Sequence, residues 1–192
     1  MKRLLLISAI LISPLSHAND YNGFYLGAGI GTVDIDDDGA LDDISPALNT
    51  SYSGNTYKLI SGYKFNRIVA VEGQYTSYGD MKISASGSNT NLTFEQRSVT
   101  ISANVGYTFN NGLRPFGILG VGRLDSKSDG DSDHETTLRI GSGIEYTPPK
   151  LENVSFRLAY EWDMYRTEED STTKKEYDQS VGSFYFSTLY NF

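Results

Sequence analysis

The chain has 192 residues, with 24 acidic against 16 basic side chains, a formal net charge of −8 and no cysteine. That balance argues against a nucleic-acid partner, because phosphate backbones are bound through an excess of lysine and arginine. The missing thiols exclude disulfides and a cysteine-linked lipid anchor.

Lys2 and Arg3 precede a short apolar stretch, Leu4 to Leu15, and a small-x-small site at Ser16-His17-Ala18. This pattern reads as a cleaved signal peptide over residues 1–18, followed by one domain over 19–192. An N-terminal anchor is the alternative, but the stretch is short for a spanning helix and no stop-transfer pattern follows it. Cleavage removes two basic residues and no acidic ones, taking the net charge from −8 to −10. No later run approaches the roughly 20 apolar residues that a membrane helix requires. If the chain crosses a membrane, it must therefore do so as a closed barrel, which alone pairs every strand's backbone groups in lipid.

From here on, apolar residues recur at every second position, the period of a β-strand. Phe24, Leu26, Ala28 and Ile30 alternate with Tyr25 and Gly27, Gly29 and Gly31. Segments over 57–65 and 68–78 follow less cleanly, the first with Ser61 on its apolar face. Val99 to Phe109 alternates regularly. The segment from Leu113 to Leu124 is apolar on both faces, and Leu119 and Val121 are expected to face outward with Gly117, Gly120 and Gly122 inward. Leu138 to Tyr146, Val154 to Met164 and Phe184 to Phe192 complete eight segments. The expected fold is all-β, a closed eight-stranded antiparallel up-and-down transmembrane barrel.

The connections alternate in length. Asn66-Arg67, Asn110-Asn111-Gly112 and Thr147 to Asn153 are short, whereas Asp34 to Asn55, Asp80 to Thr93, Asp125 to Thr136 and Thr167 to Asp178 are long, polar loops. Bacterial outer-membrane barrels have short periplasmic turns and longer extracellular loops. Tyr63, Phe65, Tyr107, Phe109, Tyr146, Tyr190 and Phe192, with Phe24, Phe116 and Phe156, gather at the short-turn end as an aromatic girdle. Tyr75, Tyr78, Phe94, Trp162 and Tyr165 are expected in the opposite girdle. A soluble lipocalin-type barrel shares the strand number and export but turns its apolar face inward. Charge discriminates: Lys58, Glu72, Arg139, Glu145, Arg157 and Glu161 all fall on the minority polar face, which in a lipid-embedded barrel is the interior.

Three motifs then carry a resemblance. Gly23-Phe24-Tyr25-Leu26-Gly27-Ala28-Gly29-Ile30-Gly31 resembles the first strand of the small outer-membrane barrels, and Gly62-Tyr63-Lys64-Phe65 before Val71-Glu72-Gly73-Gln74-Tyr75 and Gly143-Ile144-Glu145-Tyr146 before Leu158-Ala159-Tyr160-Glu161 resemble their second and third hairpins. That group includes the OmpA membrane domain, OmpX, Ail and the accessory colonisation factors of vibrios. The terminal Tyr190-Asn191-Phe192 is similar to the ending by which the outer-membrane barrel assembly machinery recognises its clients, so the resemblance implies an assembly signal at Tyr190 and Phe192. The expectation includes no peptidoglycan-binding domain after the barrel.

Three candidate chemistries follow. Lys58, Lys64, Arg139 and Arg157 face Glu72, Glu145, Glu161 and Asp163, four charges of each sign in a lumen just wide enough to be filled by side chains. A structural ion-pair network is expected there, and a narrow porin-like channel is its rival. Catalysis would need an oriented histidine, and the mature chain offers only His134, in the acidic loop Asp131 to Glu135, so an enzyme is not expected. A lipid-modifying barrel enzyme is the remote alternative. Asp34, Asp36, Asp38 and Asp42 match the opening of a calcium loop, yet Ser45 replaces the closing glutamate; weak Ca2+ binding is the most they offer. No cofactor is expected. The whole reads as a monomeric, non-enzymatic outer-membrane protein in contact with outer-membrane lipid and lipopolysaccharide. Its acidic loops serve adhesion, host colonisation or envelope interaction, with host surface or matrix as partner; a purely structural envelope protein is the other alternative.

Overall fold

A computed structural model describes residues 22–36, 48–52, 55–78, 81–85, 91–128, 131–169 and 175–192. The expected signal peptide, Asp38 and Asp42 lie outside the described residues.

Among the described residues, eleven strand segments form one closed antiparallel barrel of eight staves. In chain order they are β1 (Gly23–Gly31), β2 (Asp34–Asp36), β3 (Leu48–Tyr52), β4 (Thr56–Lys64), β5 (Val69–Ser77), β6 (Met81–Ala85), β7 (Asn91–Gly106), β8 (Leu113–Ser128), β9 (Asp131–Tyr146), β10 (Val154–Glu169) and β11 (Lys175–Asn191). Round the barrel β1 pairs β4, β4 pairs β5, β5 pairs β7, and β7 to β11 pair in sequence, while β1 closes on β11 from Tyr25↔Asn191 to Gly31↔Tyr185. Closure leaves the ring of staves without an unpaired edge, which is the condition for β-structure in lipid.

The short turns are built by asparagine. Asn66 Oδ1 accepts from the backbone N–H of Ile68 and Val69 at 2.8 and 2.9 Å. Asn111 Oδ1 accepts from the N–H of Leu113 at 3.1 Å. Gly112 has φ +82°, a left-handed conformation that glycine adopts without steric cost.

Where they are described, the long connections are mostly strand. The strands β7 to β11 run 16 or 17 residues, beyond the 9 to 11 or so that cross a bilayer. The β8–β9 ladder continues to Ser128↔Asp131, and β10–β11 to Glu169↔Lys175. β3, β6 and β7 extend the wall between them in the same direction. Backbone pairing does not depend on lipid, so the ladders carry on past the apolar band with polar side chains.

Side-chain facing settles which way the barrel is turned. Ile101, Leu119 and Leu59 are 63, 59 and 58% exposed, whereas Glu72, Arg139, Arg157 and Glu161 are wholly buried. A lipocalin would show the reverse. Leu119 and Val121 face outward as expected, but one period-2 rule corrects four other placements. Phe116 and Arg114 have the opposite parity to Leu119 and point inward, and Phe116 is only 6% exposed. Gly117 shares Leu119's parity and lies on the outer face. Tyr78 and Tyr165 are buried and line the interior, being out of phase with outward-facing Tyr75 and Trp162. The side chain of Phe94 lies outside the described residues.

At the short-turn end the girdle rings pack edge to face: Phe24 on Tyr63 at 4.7 Å, Tyr107 on Phe109 at 5.1 Å, Tyr190 on Phe192 at 5.0 Å. Trypsin added to intact cells is expected to spare Lys150, exposed in the Thr147–Asn153 turn, until the outer membrane is opened. Cleavage should be confined to the long connections, as after Lys174. A cut at Lys150 on intact cells would reverse the orientation.

Candidate functional site

Alternation along the strands turns every second side chain into the lumen, and the polar ones from several strands meet. Arg157 on β10 donates to Glu72 on β5 at 2.7 and 3.1 Å and to Glu145 on β9 at 2.9 and 3.3 Å. Lys64 on β4 closes the lower end on Glu145 at 2.6 Å. Tyr25 and Asn104 also donate to Glu72, at 2.5 and 2.8 Å. Gly62 makes this possible: the Tyr25 ring lies where a Cβ at position 62 would stand.

A second cluster lies one layer up. Arg139 grips Asp163 through Nε and Nη2, both at 2.6 Å, and donates to Gln74 and Ser98 at 2.8 and 2.9 Å. Lys58 donates to Glu161 at 2.8 Å, with Arg139 Nη1 3.5 Å from the same carboxylate. Tyr78 donates to Asp163 and Tyr185 to Glu161, at 2.7 and 2.5 Å. The amide of Gln74 bridges the layers, 3.2 Å from Glu72 and 3.1 Å from Glu161. Cations also sit over rings: Lys58 Nζ lies 4.5 Å from the Tyr185 centroid and the Arg157 guanidinium 4.8 Å from Phe116.

All eight charged residues singled out in the sequence thus lie in one connected network from Lys64 at the girdle end to Asp163. Sequence reading missed Arg114, a fifth interior cation, which is 2% exposed and donates to the Ile68 carbonyl at 3.2 Å. Its parity with misplaced Phe116 hid it. Tyr25, Tyr78, Tyr185, Gln74 and Asn104 were also missed, because aromatic and amide residues on a polar face carry no charge signal. Each of these four buried carboxylates has at least one cationic partner, as burial of charge demands.

Other candidates fall elsewhere. His134 is in β9, not in a loop, because the β8–β9 ladder holds it opposite Asp125. Its Nδ1 lies 2.6 Å from Asp125 Oδ1 on the outer surface, and Arg123 Nε donates to the same oxygen at 2.8 Å. Slight burial pushes the Asp125 carboxyl up, but hydrogen bonds from His134 and Arg123 hold it below its ordinary value. Of the calcium-loop residues, Asp34 and Asp36 fall in β2, and Asp34 accepts from Tyr160 Oη at 2.9 Å. Tyr190 and Phe192 stand outward in the girdle, 49 and 55% exposed.

Residues 4–192 match a family described as the outer membrane protein beta-barrel domain. Outer membrane protein A of Salmonella typhi is 30% identical over 152 residues, covering 73% of this chain and 41% of that protein. The Shigella flexneri protein of the same name is 29% identical over the same shares. The chain therefore spans about two fifths of the length of these curated relatives. Among solved structures, Neisserial surface protein A has a TM-score of 0.62 at 16% identity, covering 88% of this chain and 97% of that one. OprG of Pseudomonas aeruginosa also scores 0.62, at 15% identity, covering 90 and 97%. Ail of Yersinia pestis, solved in complex with the heparin analogue sucrose octasulfate, scores 0.55 at 17% identity, covering 89 and 99%. At these identities the structural likeness is one of fold.

Replacing Arg157 with Met leaves Glu72 without its only arginine and should destabilise the barrel by about 3–5 kcal/mol, as for a broken buried pair. The drop would be read from urea unfolding in lipid bilayers. Adding Glu72→Gln should recover part of it. An effect no larger than that of Leu119→Met on the lipid face would show that the pairing is dispensable.

Proposed function

The chain belongs to the outer membrane protein beta-barrel domain family, and from that premise we propose that it is a non-enzymatic surface-display barrel with a closed lumen. Its polar outer end contacts host cells or neighbouring envelope components. One observation carries the proposal: Lys58, Arg139 and Arg157 form buried ion pairs across the lumen, which leaves chemistry directed at the outside to the strand extensions. Residues 1–18 would direct export, and Tyr190 with Phe192, exposed beside the barrel seam, would be offered to the assembly machinery. His134 has no serine or threonine hydroxyl among its described hydrogen-bond partners, which favours a non-catalytic part for it.

Charge narrows the partner. The four long connections, 34–55, 80–93, 125–136 and 167–178, hold 17 acidic against 4 basic residues. A surface of that sign repels sulfated polyanions such as the ligand analogue bound to Ail, even at distances near the Debye length of about 8 Å in physiological salt. The partner it favours is a neutral or basic protein surface. Weak Ca2+ association with Asp34, Asp36, Asp38 and Asp42 would reduce this repulsion without serving catalysis.

Replacing residues 37–47 with a short Gly-Ser link, which keeps β2 and β3, is expected to lower attachment of expressing cells to host monolayers. Polylysine should compete with attachment of the parent strain, whereas soluble heparin should not. Unchanged attachment together with a leaky envelope would instead make this a structural envelope protein. Competition by heparin would overturn the charge argument.

A further inference from the structure

The interior has one layer that the ion pairs do not require. Tyr78, Leu124, Tyr165 and Val181 are 4, 1, 8 and 0% exposed and pack into one apolar cluster inside the bore, with Val33 against it. They come from all round the barrel: Tyr78 follows β5, Leu124 lies on β8, Tyr165 on β10, Val181 on β11, and Val33 between β1 and β2. On each of the four strands the next inward position toward the girdle end is small, polar or charged: Thr76, Gly122, Asp163 and Ser183. One inward step toward the outer end, Ser126 and Gln179 are polar and half-buried. A transverse apolar layer thus lies between the ion-pair network and the outer end of the bore.

Alternation does not force this layer. It dictates which residues point inward, not that they be apolar, and the inward positions directly above and below are polar. Nor does charge pairing need it, since Glu161 and Asp163 already have Lys58 and Arg139. The layer rests directly on the network: Tyr78 donates to Asp163 at 2.7 Å and accepts from Arg139 Nη2 at 3.5 Å, so its hydroxyl is turned to the ion pairs. On the other side, Gln96 Nε2 donates to Tyr165 Oη at 3.5 Å. The exposed end of the network is the opposite one, where the Lys64 side chain is 15% exposed against 0% for Arg139 and Asp163.

We propose that the ring of Tyr78, Leu124, Tyr165, Val181 and Val33 is the outer seal of the lumen, a hydrophobic constriction that holds water and solutes arriving from outside off the ion pairs. Such a constriction closes by dewetting, because polar solutes and water find no partners on its walls. The consequence is insulation: salt and pH at the cell surface act on the acidic outer end and not on the buried pairs beneath it. The inference deepens the closed-lumen reading. Conductance of the parent barrel tests closure itself, whereas thiol access tests where the closure lies, so either can fail alone.

The chain has no cysteine, so single thiols can be introduced cleanly. Ser183 lies beneath the layer with no hydrogen-bond partner for its Oγ, and Ser126 lies above it, so Ser183→Cys and Ser126→Cys are mild changes. The full barrel is placed in liposomes in which Lys150 is shielded from external trypsin. A small cationic methanethiosulfonate is then added outside, with glutathione trapped inside, and modification is followed by mass. Ser183→Cys should react about a hundredfold more slowly than Ser126→Cys, as a site reached only by local opening does. Adding Leu124→Asn and Val181→Thr, which nearly keep the volume of the layer but make it polar, should speed Ser183→Cys about tenfold or more. Val181→Thr alone should act in the same direction. Ile118→Thr, three inward steps down β8, should leave the rate unchanged. The heat-dependent shift in gel mobility reports whether each variant is folded. Ser183→Cys reacting as fast as Ser126→Cys would overturn the proposal. So would a rate that folded polar-layer variants leave unchanged, or one that Ile118→Thr raises as much.

Discussion

The pairing of charges buried inside the barrel is the constraint on which the rest of this molecule depends. Arg157 between Glu72 and Glu145, and Arg139 on Asp163, are possible only because three strands, β5, β9 and β10, deliver these side chains to the same two layers. A lone ion in that space would cost several kcal/mol. The network in turn requires the polar face to be the inner one, which obliges the apolar face to meet lipid. Membrane residence and lumen closure are thus two consequences of one alternation.

Much of this was legible in the chain itself, for a physical reason: a period of two is the most robust pattern that a sequence can carry. It exposed the eight staves, the girdle from Phe24 to Phe192 and the inward set from Lys58 to Asp163. The failures share a cause. Phe116, Tyr78 and Tyr165 were assigned by where aromatics belong, at the membrane interfaces, against the parity of Leu119, Tyr75 and Trp162. Where composition and parity disagree in a barrel, parity prevails, since one slip would turn a whole strand inside out. Arg114 was lost with Phe116. The strand extensions were invisible for another reason: beyond the apolar band both faces are polar, so alternation vanishes although the hydrogen-bond ladder of β8 and β9 continues.

The two ends of the barrel differ in what they do. Asparagine-built turns and packed rings make the girdle end short and rigid. The opposite end rises above the bilayer on paired strands and carries most of the acid of the chain. A closed interior and a differentiated exterior are what a protein that works by its surface requires.

Lumen closure is tested most directly by ion conductance of the purified barrel in planar bilayers. With Glu72, Glu145, Glu161 and Asp163 all engaged, the wild-type protein should show no sustained open level, and Arg157→Met or Glu161→Gln should raise the frequency of brief openings. A steady conductance in the wild type, unaffected by these substitutions, would contradict a closed lumen and move the function back inside the barrel.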